Sequence, residues 1–214
     1  VMNPTSQEYA ERVVLVTGGT KGIGRGIAEG FLAAGATVVV CGRNAPQSLP
    51  EAGGAAADFL PCDVREADAV RSLVAEIVQR YGRLDVLVNN AGGAPEVDAA
   101  TVSPRFHEGV LRLNLFSTLH AAQAANAVMQ AQQEGGVIVN IGSISALRAS
   151  PGTWCSAASR CTRSPKTTTA PAPSGHASAT STPVASPMMS IGLLWLQAAG
   201  RISFRAARLI SGIG

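Results

Sequence analysis

The segment Thr17-Gly18-Gly19-Thr20-Lys21-Gly22-Ile23-Gly24 concentrates glycines around a single lysine. Where side chains are missing, backbone N–H groups can approach an anion closely, and Lys21 adds positive charge inside the turn. If the turn opens a helix, the positive end of the helix dipole favours the same anion. Glycines at this spacing therefore point to a dinucleotide, with its pyrophosphate at the turn. A tight turn with a packing role is the plain alternative, and a glycine cluster alone does not separate the two.

The elements that must position the turn do separate them. Val13–Thr17 is a β-branched run that reads as a strand leading into the glycines. Ile23, Ile27, Phe31 and Leu32 then recur at helical spacing, and Gly35 ends that helix. Residues 37–41 form a second, continuous apolar run of the kind found in strands covered on both faces. Further along, the pattern predicts a strand at 58–60, a helix at Ala67–Tyr81, a strand at 85–88, a long helix at 110–129 and a strand at 137–141. This alternation implies an α/β fold, a Rossmann-type doubly wound parallel sheet in a single domain.

With Gly18-x3-Gly22-x-Gly24 placed between strand and helix, the chain resembles the short-chain dehydrogenases/reductases over residues 10–153. Asp63-Val64 after the third strand resembles the family's adenine contact. Asn89-Asn90-Ala91-Gly92 after the fourth resembles its NNAG segment, where backbone meets cofactor. The resemblance implies a cofactor site made of Gly18, Thr20, Lys21, Gly22, Ile23, Gly24, Arg43, Asp63, Val64, Asn90, Ala91 and Gly92. It further implies that Asn114 is the catalytic asparagine, which helps hold a proton-relaying water. Ser143, in Asn140-Ile141-Gly142-Ser143, matches the serine that orients the substrate oxygen. The substrate class implied is a small-molecule alcohol or carbonyl compound.

At the end of the second strand an acidic residue would bind the ribose hydroxyls of NAD and repel a 2′-phosphate. This chain carries Cys41-Gly42-Arg43 there, and Arg43 with Lys21 would neutralise such a phosphate through charge-assisted hydrogen bonds. NADP(H) is therefore expected in preference to NAD(H). The plain alternative is that both cations are solvated surface charges.

In the family a tyrosine hydroxyl moves the substrate proton, and a lysine four residues on lowers its pKa from about 10 and bonds the nicotinamide ribose. The tyrosine follows the serine by about 13 residues. Counting from Ser143, that spacing falls on Ser156 and Arg160, or on Cys155 and Ser159 if the loop is one shorter. No Tyr-x3-Lys occurs anywhere in the chain, whose only tyrosines are Tyr9 and Tyr81 and whose only lysines are Lys21 and Lys166. Serine is too weak an acid, and serine or cysteine is too short to reach the same point. The expectation is an oxidoreductase-type protein crippled in this chain; the alternative is a non-catalytic NADP(H)-binding protein with a disordered tail.

The family features end together near residue 153. Across residues 154–190, 26 of 37 positions are Ser, Thr, Pro or Ala, five of them prolines, a composition that cannot build a core. Glu134 is the last acidic residue, so the 80 residues that follow 134 hold seven cations and no carboxylate. GC-rich coding DNA read out of frame gives Ala, Pro, Ser, Thr and Arg, which points to a reading-frame shift near residues 153–160. The division expected is thus a dinucleotide-binding domain at 1–153 and an atypical tail at 154–214.

Residues 191–214 regain Leu, Ile, Trp and Phe and place Arg201, Arg205 and Arg208 at a spacing that would share one helical face, so a short amphipathic helix is one reading of the segment. An accidental translation product is preferred to a membrane-lying helix, because no polar face is clear before Arg201. The strand at 137–141 is expected to lack an outer neighbour, with the apolar sheet face beside it exposed. Family members form dimers or tetramers through the long helix and the one after it, and only the first is recognisable here.

A chain of 214 residues with 46% hydrophobic content suits one substantial core. No apolar run approaches the ~18 residues of a membrane span, no signal-peptide pattern opens the chain, and a cytoplasmic protein is expected. The tail's arginines lack aromatic interleaving, so neither nucleic acid nor membrane is expected as a partner. Cys41, Cys62, Cys155 and Cys161 fit neither a zinc site nor a disulfide framework. His107, His120 and His176 show no ligand spacing, so no metal is expected.

Overall fold

The computed structural model of the chain describes residues 8–95, 97 and 101–143, and the backbone of 194–199. Cys155, Ser156, Ser159, Arg160, Cys161, Lys166, His176, Arg201, Arg205 and Arg208 lie outside the described residues, as does most of the tail.

Strand β1 (Val13–Thr17) leads through the glycine turn into helix α1 (Gly22–Ala33), and β2 (Thr37–Gly42) follows. A short hairpin, β3 (Glu51–Ala52) and β4 (Ala55–Ala56), precedes β5 (Asp58–Pro61). Then come α2 (Ala67–Tyr81), β6 (Val86–Asn89), α3 (Pro104–Leu111), α4 (Ser117–Ala131), β7 (Gly136–Ile141) and β8 (Leu194–Ala199). The main sheet runs β5-β2-β1-β6-β7-β8, and every pairing from β5 to β7 is parallel. This is the doubly wound architecture, with the strand order reversing between β1 and β6.

Period-two alternation assigns the strand residues to two cores. Val14, Val16, Val38 and Val40 pack with Ile27, Phe31 and Leu32 of α1. Val13, Leu15 and Val39 face the other way, against Val70, Leu73 and Ile77 of α2 and Ala121, Ala125 and Met129 of α4. Burial on both faces explains why the strands read as unbroken apolar runs. Phe31→Ala, at a side chain with no exposure, is expected to cost about 3–5 kcal/mol in urea denaturation.

Several expectations are corrected. The helix expected at 110–129 begins earlier, at Pro104, where the Ser103 hydroxyl caps it by accepting from the Phe106 N–H at 3.3 Å. It is also interrupted: Arg112–Phe116 winds as a π-helix, in which the Ser117 N–H donates five residues back to the Arg112 carbonyl. The Asn114 amide takes the Val110 carbonyl at 2.9 Å, a bond that competes with the regular helical ladder and accounts for the widening.

Of the segment expected as an amphipathic helix, Leu194–Ala199 form strand β8, and the remainder with its arginines lies outside the described residues. That strand pairs antiparallel with β7 from Gly136↔Ala199 to Ile141↔Leu194, so β7 does have an outer neighbour. Interstrand hydrogen bonds along an open edge satisfy backbone groups that helical periodicity does not register. Nor is the sheet face beside β7 bare: Val139 is fully buried in one cluster with Val86 and Val88. Exposed large apolar side chains lie on the helical stretch, at Leu111, Leu115, Phe116 and Leu119. Lastly, Ile23 does not share the buried face of Ile27, Phe31 and Leu32. It is 68% exposed, in the first turn of α1.

Among the described residues, no helix is long and apolar enough to cross a membrane, and no cluster of His, Cys, Asp and Glu is arranged for a metal.

Candidate functional site

Because the strands from β5 to β7 are parallel, their carboxyl ends share one edge. The glycine turn follows β1, Arg43 follows β2, Asp63 follows β5, Asn90 follows β6 and Ser143 follows β7. The topology therefore brings five separated sequence segments to the crevice where doubly wound sheets bind ligands.

The turn after β1 is fastened to the segment after β6. The Thr17 hydroxyl, buried, accepts from the N–H groups of Asn90 and Ala91, both at 3.0 Å, and lies 3.4 Å from the Val88 carbonyl to which it donates. Asn90 returns the connection, its amide donating to the carbonyls of Thr17 at 3.0 Å and Gly18 at 3.3 Å. Gly22 has φ +56° and nothing within 4 Å of the place where a Cβ would stand. A left-handed residue beside open space at a helix N-terminus fits a bound pyrophosphate. Lys21, the exposed N-cap of α1, and the exposed Ile23 border that space, and the half-buried Thr20 packs near Gly42.

Thr17 was not singled out from the sequence, although it fixes two backbone groups of Asn89-Asn90-Ala91-Gly92. The available signal was a threonine ending an otherwise aliphatic strand. Thr17→Val leaves two N–H groups without their acceptor and is expected to cost about 2–3 kcal/mol, read by chemical denaturation. A loss below about 0.5 kcal/mol would mean that water replaces the hydroxyl.

At the second strand's end Arg43 is exposed, and among the described residues it forms no ion pair. Asp63 is instead held by Arg65, through Nη2 to Oδ2 at 2.5 Å, Nε to Oδ1 at 2.9 Å and the backbone N–H at 3.1 Å. The Arg65 side chain is the main cause that keeps the Asp63 carboxyl below its ordinary value, with a smaller contribution from the charge of Arg43. Val64 turns into the core beside Val70.

Asn114 lies across the crevice in the π-helical stretch. Its Oδ1 accepts from the Gly93 N–H at 2.8 Å, and its Nδ2 donates to the Gly93 carbonyl at 3.0 Å and to Val110. Gly92 leaves room for this, since a Cβ there would stand 2.9 Å from Oδ1. The asparagine thus clasps the segment after β6 against the helix. Asn89 and Asn140 bridge β6 and β7 at 2.9 Å, near the exposed Ser143.

Neither tyrosine is built for proton transfer at this edge. Tyr9 is buried edge-on against Phe31, with ring centroids 5.2 Å apart. Tyr81 donates to Asp58 at 2.5 Å, at the start of β5 and hence the opposite sheet edge. Burial, then the bond to Asp58, pushes its phenol up, the reverse of what a catalytic phenolate needs. Cys41 is no substitute: a hydrogen bond with Cys62, then burial, raises its thiol well above the ordinary range.

A family model described as short chain dehydrogenase matches residues 12–162, which extends the likeness past residue 153. A 3beta-hydroxysteroid dehydrogenase of Mediterraneibacter gnavus is 39% identical over 160 residues, 71% of this chain and 56% of that protein. Among solved structures, a short chain dehydrogenase from Mycobacterium smegmatis superposes with a TM-score of 0.66 at 31% identity, covering 73% of this chain and 68% of that one. An NADH-dependent reductase complexed with NAD also gives 0.66, at 27% identity, with coverages of 72% and 67%. The chain spans about half the length of the curated relatives it matches.

Proposed function

Since the chain belongs to the short chain dehydrogenase family of oxidoreductases, we propose that it binds NADP(H) at the carboxyl edge of its sheet and that the family's turnover is lost in these 214 residues. The observation that carries the binding half is the glycine turn locked by Thr17 and Asn90 at the point where the strand order reverses. In this reading Gly18, Thr20, Lys21, Gly22, Ile23 and Gly24 hold the pyrophosphate side. Asp63 and Val64 border the adenine, and Asn90, Ala91 and Gly92 line the middle. When bound, the cofactor supplies a donor or acceptor of hydride for an alcohol or carbonyl compound.

Preference for NADP(H) over NAD(H) rests on Arg43. With Asp63 held by Arg65 and no carboxylate at the end of β2, Arg43 is left for a 2′-phosphate. The NAD complex of one structural relative makes NAD(H) the competing cofactor. Ser143 orients a substrate oxygen, and Asn114 holds the segment after β6 in place. Neither Tyr9, buried against Phe31, nor Tyr81, at the opposite sheet edge, stands where it could move the substrate proton. A non-catalytic binding protein is the second reading, favoured by the raised phenol of Tyr81 and the absence of Tyr-x3-Lys.

Titration of NADPH fluorescence, run beside an oxidation assay with a panel of aldehydes and ketones, tests both halves. Saturable NADPH binding without its oxidation is expected, and NADH should bind about tenfold more weakly. Absent binding sinks the cofactor assignment; oxidation above the protein-free rate sinks the loss of turnover. Sequencing the coding DNA through codons 145–170 tests the proposed frame shift. A neighbouring frame that encodes Tyr-x3-Lys about 13 residues after Ser143 supports it, and no such frame refutes it.

A further inference from the structure

Arg25, the residue after the last glycine of the turn, has a task that the cofactor reading does not use. Its guanidinium reaches from α1 across to the loop that connects β2 to the β3–β4 hairpin. Nη1 donates to the Ser48 carbonyl at 3.0 Å and to the Ser48 hydroxyl at 3.2 Å, while Nη2 donates to the Leu49 carbonyl at 2.9 Å. Nε is fixed by Glu29, one turn along the helix, at 2.8 Å. All three nitrogens of the planar fork are therefore occupied in one orientation.

That loop begins at Arg43. Its ends are tied by backbone bonds, from Cys62 N–H to the Gly42 carbonyl and from Ala57 N–H to the Pro50 carbonyl, both at 2.9 Å. Between those ties, among the described residues, the Arg25 contacts are the hydrogen bonds that reach residues 43–49. One cation thus connects the helix that opens at the glycine turn to the loop that carries the proposed 2′-phosphate residue.

We propose that Arg25 is a positioning residue for cofactor choice: by clamping Ser48 and Leu49 to α1 it holds the 43–49 loop in the form in which Arg43 favours a 2′-phosphate. This rests on the NADP(H) reading of Arg43. Freed from Arg25, the loop gains conformations, and the selection of its competent form lowers affinity for the phosphorylated cofactor. A cofactor without that phosphate draws less on the loop, so its affinity changes less.

The test uses the full chain and measures dissociation constants for NADPH and NADH in wild type, Arg25→Met, Arg25→Lys and Arg43→Met, with amide exchange followed across residues 43–49. Arg25→Met is expected to weaken NADPH about tenfold and NADH no more than about twofold, with faster exchange in the loop. Arg25→Lys should recover part of the ratio, since an ammonium still reaches one carbonyl. Equal weakening of both cofactors, an unchanged ratio, or unchanged exchange overturns the clamp. Arg43→Met reads the premise separately: if it leaves the ratio unchanged while Arg25→Met shifts it, the Arg43 assignment fails, which overturns the role of Arg25 through Arg43. Wild type that binds neither cofactor overturns both.

Discussion

Gly24→Ala is expected to raise the dissociation constant for NADPH by at least about a hundredfold. An added Cβ would stand 2.3 Å from the Asn90 Nδ2 and 2.5 Å from the Gly18 carbonyl oxygen. The amide is held by the carbonyls of Thr17 and Gly18 and the oxygen belongs to the turn itself, so neither retreats alone. Relief requires moving α1 away from the glycine turn, which alters the space beside Gly22 where the proposed function places a pyrophosphate. Overpacking of this kind costs about 1–3 kcal/mol, and displaced N–H groups add the loss of charge-assisted bonds. Fluorescence titration of the variant, with circular dichroism on the same sample to establish that the sheet is intact, checks the result. A folded variant that binds within about twofold of wild type would remove the turn from the cofactor site.

The glycine turn was legible because its constraint is local: Gly22 and Gly24 are required by a dihedral angle and a close approach that few other residues meet. Val13–Thr17 and the helix near Ala67–Tyr81 were legible because burial on a fixed period leaves an unbroken trace in the sequence. The start of α3 left a signal too, in Ser103-Pro104, which the apolar pattern around Val110 outweighed. The π-helical stretch could not be read, since it depends on where one side-chain amide, that of Asn114, finds its acceptor. Ile23 is a related case: helical spacing gives the side of α1 it shares with Ile27, but not whether anything covers that side in the first turn. The pairing of β8 with β7 joins segments about fifty residues apart through backbone bonds, and such long-range bonds leave no periodic trace. In the site, the resemblance implied Asn90 as a cofactor residue and Asn114 as the catalytic asparagine. Their side chains prove to be engaged with Thr17, Gly18, Gly93 and Val110, so both hold backbone segments in position.

Asp85→Asn is expected to cost about 2–3 kcal/mol of stability at neutral pH, at the sheet edge opposite the glycine turn. The buried carboxylate accepts from the Val13 N–H at 2.9 Å, from Arg12 at 3.0 Å and from Arg83 through Nε at 2.8 Å and Nη2 at 2.5 Å. Exposed Glu134 joins both arginines from outside. The asparagine keeps the shape but, whichever oxygen it replaces, brings an NH₂ group against two donors and leaves two guanidiniums short of a countercharge. Because those guanidiniums are 37% and 35% exposed, water offsets part of the loss, which places the cost below that of a fully buried pair. Burial pushes the Asp85 carboxyl up, but Arg83, the Val13 N–H and Arg12 together outweigh it and hold it below the ordinary value. A depressed folded-state pKa means that the native state keeps its charge where the unfolded chain takes a proton. The stabilisation is therefore whole above about pH 4, the unfolded value, and is lost as pH falls through the lower folded one. Urea denaturation at pH 7, 5, 4 and 3 should show wild type losing stability on the acid side, while Asp85→Asn starts lower and loses less. Parallel acid limbs in the two proteins would shift the acid sensitivity to other carboxylates, Asp63 first among them, since Arg65 holds it below its ordinary value in the same way.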